Sequence, residues 1–329
     1  MLATFFLIAS VVLPPDTPAE AIRKDHGPGT SGGGLNTRSA ETLKPNAFSA
    51  TFRLDFTGFE RLSNDDVREL TFGVSGDHAH FDAVRWSMLE TVEFAFGAAE
   101  DFEVGFSFGT YRANDVREGH LHGDGSYGFH EFGDISGATD TWISAKGRLS
   151  RGPEGQFAVY GGIKLPTGDD DETNEGGTGN ATLEPSLQPG SGTFDLMAGV
   201  AYSRWLTEHI TLDASASYTW RSEEDEFKIG DLILMGVAAA YRLTEGAQAY
   251  PRASVFAEVA LRHLFENEEH GVEVSNSGGT VLFVGPGVRA GLSERFSWDL
   301  AVQIPVVQEL NEPQQWTLYK VSTGITLSF

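Results

Sequence analysis

The feature that most limits how this chain can fold is a hydrophobic period of two held over long segments. Phe102, Val104, Phe106 and Phe108 alternate with Glu103, Gly105, Ser107 and Gly109. Ile210, Leu212, Ala214, Ala216, Tyr218 and Trp220 alternate with Thr211, Asp213, Ser215, Ser217 and Thr219. The same pattern runs from Phe296 to Val306 and from Val321 to Phe329. Successive side chains of a strand point to opposite faces, so each segment has one apolar face and one small or polar face. Strands of soluble domains average about 5–6 residues. These run about 10 to 13, the length that a tilted strand needs to cross a bilayer.

About twelve such segments follow one another, near 48–58, 84–96, 102–111, 139–150, 156–165, 193–204, 209–220, 231–243, 253–265, 279–291, 296–307 and 317–329. An even count suits a single-chain bacterial barrel. Tight connections at Ala98–Asp101, Arg151–Gly155, Trp205–Glu208 and Leu292–Arg295 alternate with long ones after the first, third and fifth segments. Short turns belong to the periplasmic side of such barrels and long loops to the outside, which predicts periplasmic N and C termini. In hydrocarbon every unpaired backbone group costs several kcal/mol, so a sheet of this kind must close on itself. The fold class expected is all-β, a transmembrane antiparallel β-barrel spanning 47–329.

Composition excludes several alternatives. The chain has 23 basic against 47 acidic residues and a formal net charge of −24, which repels phosphate backbones, so no nucleic-acid partner is expected. It has no Cys, which removes disulfides, thiolate metal sites and Cys nucleophiles together. Beyond the N-terminus no apolar run is long enough for a membrane-spanning helix. The first apolar run, Leu2–Leu13, has signal-peptide length, and Ala19-Glu20-Ala21 offers small residues for cleavage, although no Lys or Arg precedes it. Residues 1–21 therefore read as a signal peptide, and the Gly-rich, aperiodic stretch 22–46 as a flexible periplasmic leader.

Charge follows the same division as the loops. More than half of the 47 acidic residues fall in the expected outer loops, as in Asp169-Asp170-Asp171-Glu172 and Glu223-Glu224-Asp225-Glu226. Such a crown is solvated, and it suits divalent cations that bridge lipopolysaccharide. His78 and His80 stand in one outer loop; His120, His122 and His130 stand in the next. Two His-x-His pairs beside carboxylates on one face of a barrel are candidate ligands for Zn²⁺ or Cu²⁺. Charges on the inward phase are Arg85, Glu93, Glu103, Lys146, Arg148, Lys164, Asp213, Glu258, Arg262, Asp299 and Lys320. In a barrel of this size they either fill the lumen with salt bridges or form a charged ladder, and a narrow or partly plugged pore is expected. Glu90 shares the parity of Trp86, Val92 and Phe94, so it breaks the simple pattern and calls for a bulge or a shorter span. Ser254 with His263 carries no catalytic signature, and the protein is not expected to be an enzyme.

The final residue, Phe329, follows Val321, Thr323, Ile325 and Leu327 at alternate positions, and resembles the C-terminal signal that barrel-insertion machinery reads. Gly133-Asp134-Ile135, followed by Asp140-Thr141-Trp142 and Lys146-Gly147-Arg148-Leu149, resembles a strand of an outer-membrane transporter family named for the MetA pathway of phenol degradation. Gly161 to Asp169 resembles that family's next strand with its Lys-Leu-Pro-Thr-Gly exit, and Leu187 to Asp195, leading to Gly199–Ser203, the strand after it. The likeness is best over 133–204 and rests on strand patterning from there to Phe329. It implies a barrel related to channels for hydrophobic aromatic compounds, and it transfers no functional residue. The His-bearing loops lie outside its pattern.

The expectation is a passive channel for a small, hydrophobic or aromatic solute in the outer membrane of a Gram-negative-type bacterium, in contact with membrane lipid and lipopolysaccharide. The competing reading is a structural or surface-binding barrel whose acidic, His-bearing loops bind divalent metal or lipopolysaccharide. No cofactor is expected beyond such an ion.

Overall fold

The computed structural model describes residues 33–75, 79–152, 154–173, 183–207, 209–244 and 250–329. The expected signal peptide, part of the leader, and His78 lie outside the described residues. Twelve strands build the wall: β1 (Phe48–Phe59), β2 (Trp86–Ala99), β3 (Phe102–Leu121), β4 (Thr141–Gly152), β5 (Gly155–Leu165), β6 (Asp195–Trp205), β7 (Ile210–Arg221), β8 (Leu232–Arg242), β9 (Arg252–Leu264), β10 (Gly279–Gly291), β11 (Phe296–Leu310) and β12 (Thr317–Ser328). Each pairs antiparallel with its neighbours in sequence. β1 then pairs with β12 from Ser49↔Ser328 to Phe59↔Thr317, which closes the ring. Closure leaves no free edge in the wall.

The polarity of the wall is inverted relative to a water-soluble protein. Ile304 is 54% exposed, and Phe52, Phe106, Val200 and Trp220 are exposed with it, while Glu258 and Asp213 are each only 1% exposed. Apolar residues point outward and charges inward, a distribution that hydrocarbon favours and water does not. The protein is a transmembrane barrel. Rings gather at both rims of the β1–β2–β12 sector: Phe56 stacks on Trp86 and Tyr319 at one, and Phe48 meets Phe94 and Phe329 at the other. Of the two tyrosines whose phase the sequence leaves open, Tyr160 is buried inward with Ala158 and Ala201, and Tyr202 takes the outward phase beside Phe157.

Glu90 needs no bulge, because the register of β2 against β1 runs unbroken from Trp86 to Phe96. It points outward and pairs with Arg112 at 3.3 Å, accepting also from Thr110 at 2.9 Å. This polar group ends the apolar band on β2 and β3, so the span is shorter there.

The connection expected after β3 as a loop is largely strand. β3 runs on to Leu121, turns, and returns as Tyr127–Ala138, pairing from Thr110↔Ala138 to Leu121↔Tyr127. Beyond the lipid both faces meet water, so the ladder persists while the apolar alternation that advertised the strand disappears. The first long connection holds a helix, α1 (Asn64–Thr71), capped by Ser63 and Asp66, and a short strand, His80–Ala83, that pairs with the extension of β3. Two other connections at the same end pair with each other through Phe227–Lys228 and Glu268–Glu269. Phe48 and Phe329 exchange backbone hydrogen bonds on the side of the barrel that carries the tight turns.

Residues 33–46 depart from the flexible leader that their sequence suggests. They enter the barrel from the rim at Phe48 and fold back inside it. Their hydrogen bonds run to side chains of the wall, as the next subsection describes.

Candidate functional site

The lumen is built by the inward phase of the strands together with this N-terminal strap. At the rim, Asn46 N–H donates to Gly97 O. A Cβ on Gly97 would stand 2.0 Å from Lys44 O, so the wall is a glycine where the strap crosses it. Leu43 N–H donates to Glu103, which also pairs with Lys146 at 2.8 Å. Ala40 N–H donates to Ser203 Oγ, and Arg38 lies over the Tyr160 ring. The strap then turns at Glu258, whose Oε1 accepts from Asn36 N–H at 2.9 Å, Thr37 N–H at 2.6 Å and Thr37 Oγ1 at 2.8 Å. Glu258 Oε2 accepts from Gln303 and from the Asn36 side chain. A buried carboxylate is costly unless its lone pairs are filled, and here the strap's own backbone fills them. Arg53 clamps the same turn by donating to Leu35 O and Asn36 Oδ1 while it pairs with Asp55 at 2.7 Å.

The strap narrows the lumen without filling it. A polar cavity of about 480 Å³ remains toward the rim that carries Phe329, lined by Glu41, Lys44, Glu93, Glu103, Lys146 and Asp299 among others. Above the strap, Arg262 shares the inward face of β9 with Glu258, and Lys320 holds its ammonium 4.7 Å from the Phe283 ring. Toward the end that carries the long connections Lys164 pairs with Asp195 at 2.7 Å and with Asp140 at 3.2 Å.

Of the inward charges expected from sequence, Glu93, Glu103, Lys146, Lys164, Asp213, Glu258, Arg262, Asp299 and Lys320 are placed by strand phase in the lumen. Arg148 sits at the rim and holds Asp101 of the first tight turn. Arg85 is a correction: it lies exposed in a bend just before β2, where the alternation that assigned it has not begun. Arg53, Asp55 and Asp195 were not singled out. Arg53 and Asp55 alternate with Phe52, Leu54 and Phe56, so the period-two signal was available for them. Ser254 and His263 lie on opposite faces of β9, and His263 bonds Thr280 instead.

At the end of the barrel that carries the long connections the two His-bearing connections meet, because His80 stands directly opposite His120 in the strand pair. The rings of His122 and His130 lie 4.7 Å and 4.8 Å from that of His120. His80 itself turns to carboxylates: Nε2 is 3.0 Å from Glu184 and 4.0 Å from Asp82. Burial opposes the charge on His80, but the hydrogen bond and charge of Glu184, with Asp82 and Glu118 behind it, hold the imidazole up to about 10. Burial and the charge of Glu184 push Asp82 well above the usual carboxylate range. Glu184 is drawn down by His80 in spite of its burial.

Comparison with known proteins now bears on this geometry. A family model described as "Putative MetA-pathway of phenol degradation" matches residues 88–309. The chain belongs to this family. The comparison with curated proteins gives no significant match. Among solved structures, an outer membrane channel from Pseudomonas putida F1 is similar over 90% of this chain and 100% of its own, with a TM-score of 0.61 and 12% identity. The β domain of the Bordetella autotransporter BrkA (TM-score 0.46, 12% identity, 87% and 100% covered) and the CymD monoaromatic hydrocarbon channel (TM-score 0.41, 11% identity, 87% and 89% covered) resemble it less. The span matched by the MetA-pathway family runs from β2 into β11 and includes Glu258, Lys164 and Glu184, whereas the strap, His80 and Asp82 lie before it.

Proposed function

We propose that this MetA-pathway family member is an outer-membrane channel that passes small hydrophobic or aromatic solutes by passive diffusion, with its tight turns and both termini on the periplasmic side. The observation that supports this reading is the closed, lipid-facing barrel whose interior keeps a charged cavity between the strap and the rim that carries Phe329. Family membership supplies the substrate class: solutes that feed aromatic degradation are small and weakly polar. Their entry is downhill, so no energy-coupling element is needed. Phe329 would be read by the barrel-insertion machinery, and the acidic outer connections would face lipopolysaccharide through bridging divalent cations.

Planar-bilayer recording of the refolded chain tests the proposal. Stepwise currents, with phenol or benzoate entering liposomes that carry the protein, are expected. A barrel that shows heat-modifiable gel mobility but passes neither ions nor aromatic solutes would overturn it.

A further inference from the structure

We propose that His80, Asp82 and Glu184 form a binding site for one divalent transition-metal ion of the Zn²⁺ type at the outer mouth of the barrel. The site is independent of what the lumen conducts.

The argument starts from local structure. His80-Phe81-Asp82 is a strand, so His80 and Asp82 share one face and Phe81 takes the other. Phe81 is 1% exposed and packs with Val67 of α1, which locks the strand's roll and fixes the direction of both polar side chains. Glu184 is held just as firmly. Its neighbour Leu183 is 2% exposed in a cluster with Val84, Val116 and Ile135, and Leu183 N–H donates to Glu172 O. Gln188 secures the same turn through Glu172 O and Leu183 O. Two separate chain segments thus deliver an imidazole and two carboxylates to one point from apolar anchors rather than from free loops.

The donor geometry suits an ion. One ligand atom from each residue lies within 4.8 Å of the others. Ligands about 2.0–2.2 Å from a tetrahedral Zn²⁺ lie roughly 3.3 Å apart. The observed 3.0 Å and 4.0 Å separations bracket that value. An imidazole with carboxylates is a ligand set for Zn²⁺ and neighbouring first-row ions, and three protein ligands leave a position for water.

The polar accounting also calls for a cation. Asp82 Oδ1 is buried with no hydrogen-bond partner among the described residues. Side chains of Asp82 and Glu184 are 21% and 16% exposed and share the single imidazole of His80, while Glu118 beside them pairs with His120 at 3.2 Å. A divalent ion offsets that excess. His130 stacks on His120 and His122 meets it edge-on beside the site; these three are not part of the ligand set, which differs from the pairing of His-x-His motifs that the sequence suggests.

The test is calorimetric titration of ZnCl₂ into the EDTA-stripped, detergent-folded full chain, backed by the visible spectrum of Co²⁺ in the same site. One saturable ion per chain is expected at micromolar concentration, with Co²⁺ bands of a low-coordinate nitrogen–oxygen site. D82N and E184Q, near-isosteric changes, should weaken binding at least tenfold, whereas the combined H120A, H122A and H130A variant should retain the ion. Heat-modifiable mobility confirms that each variant is folded. No saturable binding by the wild type, equal binding by D82N and E184Q, or loss of the ion with the three-histidine variant alone would each overturn the assignment.

Discussion

Two buried carboxylates at different levels of the barrel, Glu258 and Asp82, are handled in opposite ways. In the half that holds the strap, Glu258 accepts five hydrogen bonds, three of them from Asn36 and Thr37 main chain and hydroxyl. At the end that carries the long connections Asp82 keeps an oxygen without a partner among the described residues, next to a second carboxylate and a single imidazole. Fully satisfied polar networks hold a structure in place, and partly satisfied ones are where a ligand has something to add. The contrast separates a carboxylate that anchors the strap from one that leaves room for a ligand.

The largest expected effect is on conduction. Deleting residues 33–46 should raise single-channel conductance several-fold, because the strap is what narrows the lumen at Glu258; an unchanged conductance would mean that it moves aside in the wild type. G97A is the gentler version. The added Cβ would meet Lys44 O, and intermediate conductance is expected.

Next comes stability. Lys164 is buried between Asp140 and Asp195. K164M leaves Asp140 without its cation and Asp195 with only the more distant Arg221 at 3.8 Å, and should cost about 3–5 kcal/mol in urea unfolding of the detergent-folded barrel. E258Q keeps the size of the side chain but weakens its charge-assisted bonds, at about 1–3 kcal/mol. It should also speed amide exchange at Asn36 and Thr37, and slow exchange there would break the comparison, since the strap would then be held by something other than Glu258.

The smallest effect is at α1, which backs the strand carrying His80 and Asp82. The Ser63 hydroxyl and backbone N–H both donate to Asp66 and hold its carboxyl below the usual range. That cap is complete above the ordinary carboxylate range and is lost as pH falls through the lowered value of Asp66. Protection of amides 64–71 relative to their intrinsic exchange rates should fall on acidification, and S63A should show the reduced protection already at neutral pH.

Much of this molecule was legible before any coordinates. The twelve wall segments lie within a few residues of the alternating runs, and most inward charges follow from parity alone. The exceptions mark where local signals stop. Arg85 sits before its strand begins, and the extension of β3 with Tyr127–Ala138 is strand without an apolar face. The histidine loops were visible as candidates, but Glu184 was not, since nothing near Pro185 or Ser186 marks it as a partner of His80.

Sequence by itself determined the barrel, because in lipid each residue's face is set by its immediate neighbours and the period of the strand. Tertiary structure alone decided the rest. Asn36 meets Glu258 across 222 positions of chain, and His80 meets Glu184 only after the wall has closed and two buried apolar anchors, Phe81 and Leu183, have fixed where their neighbours point. Contacts of that kind depend on which segments the closed ring brings side by side, and no local pattern encodes them.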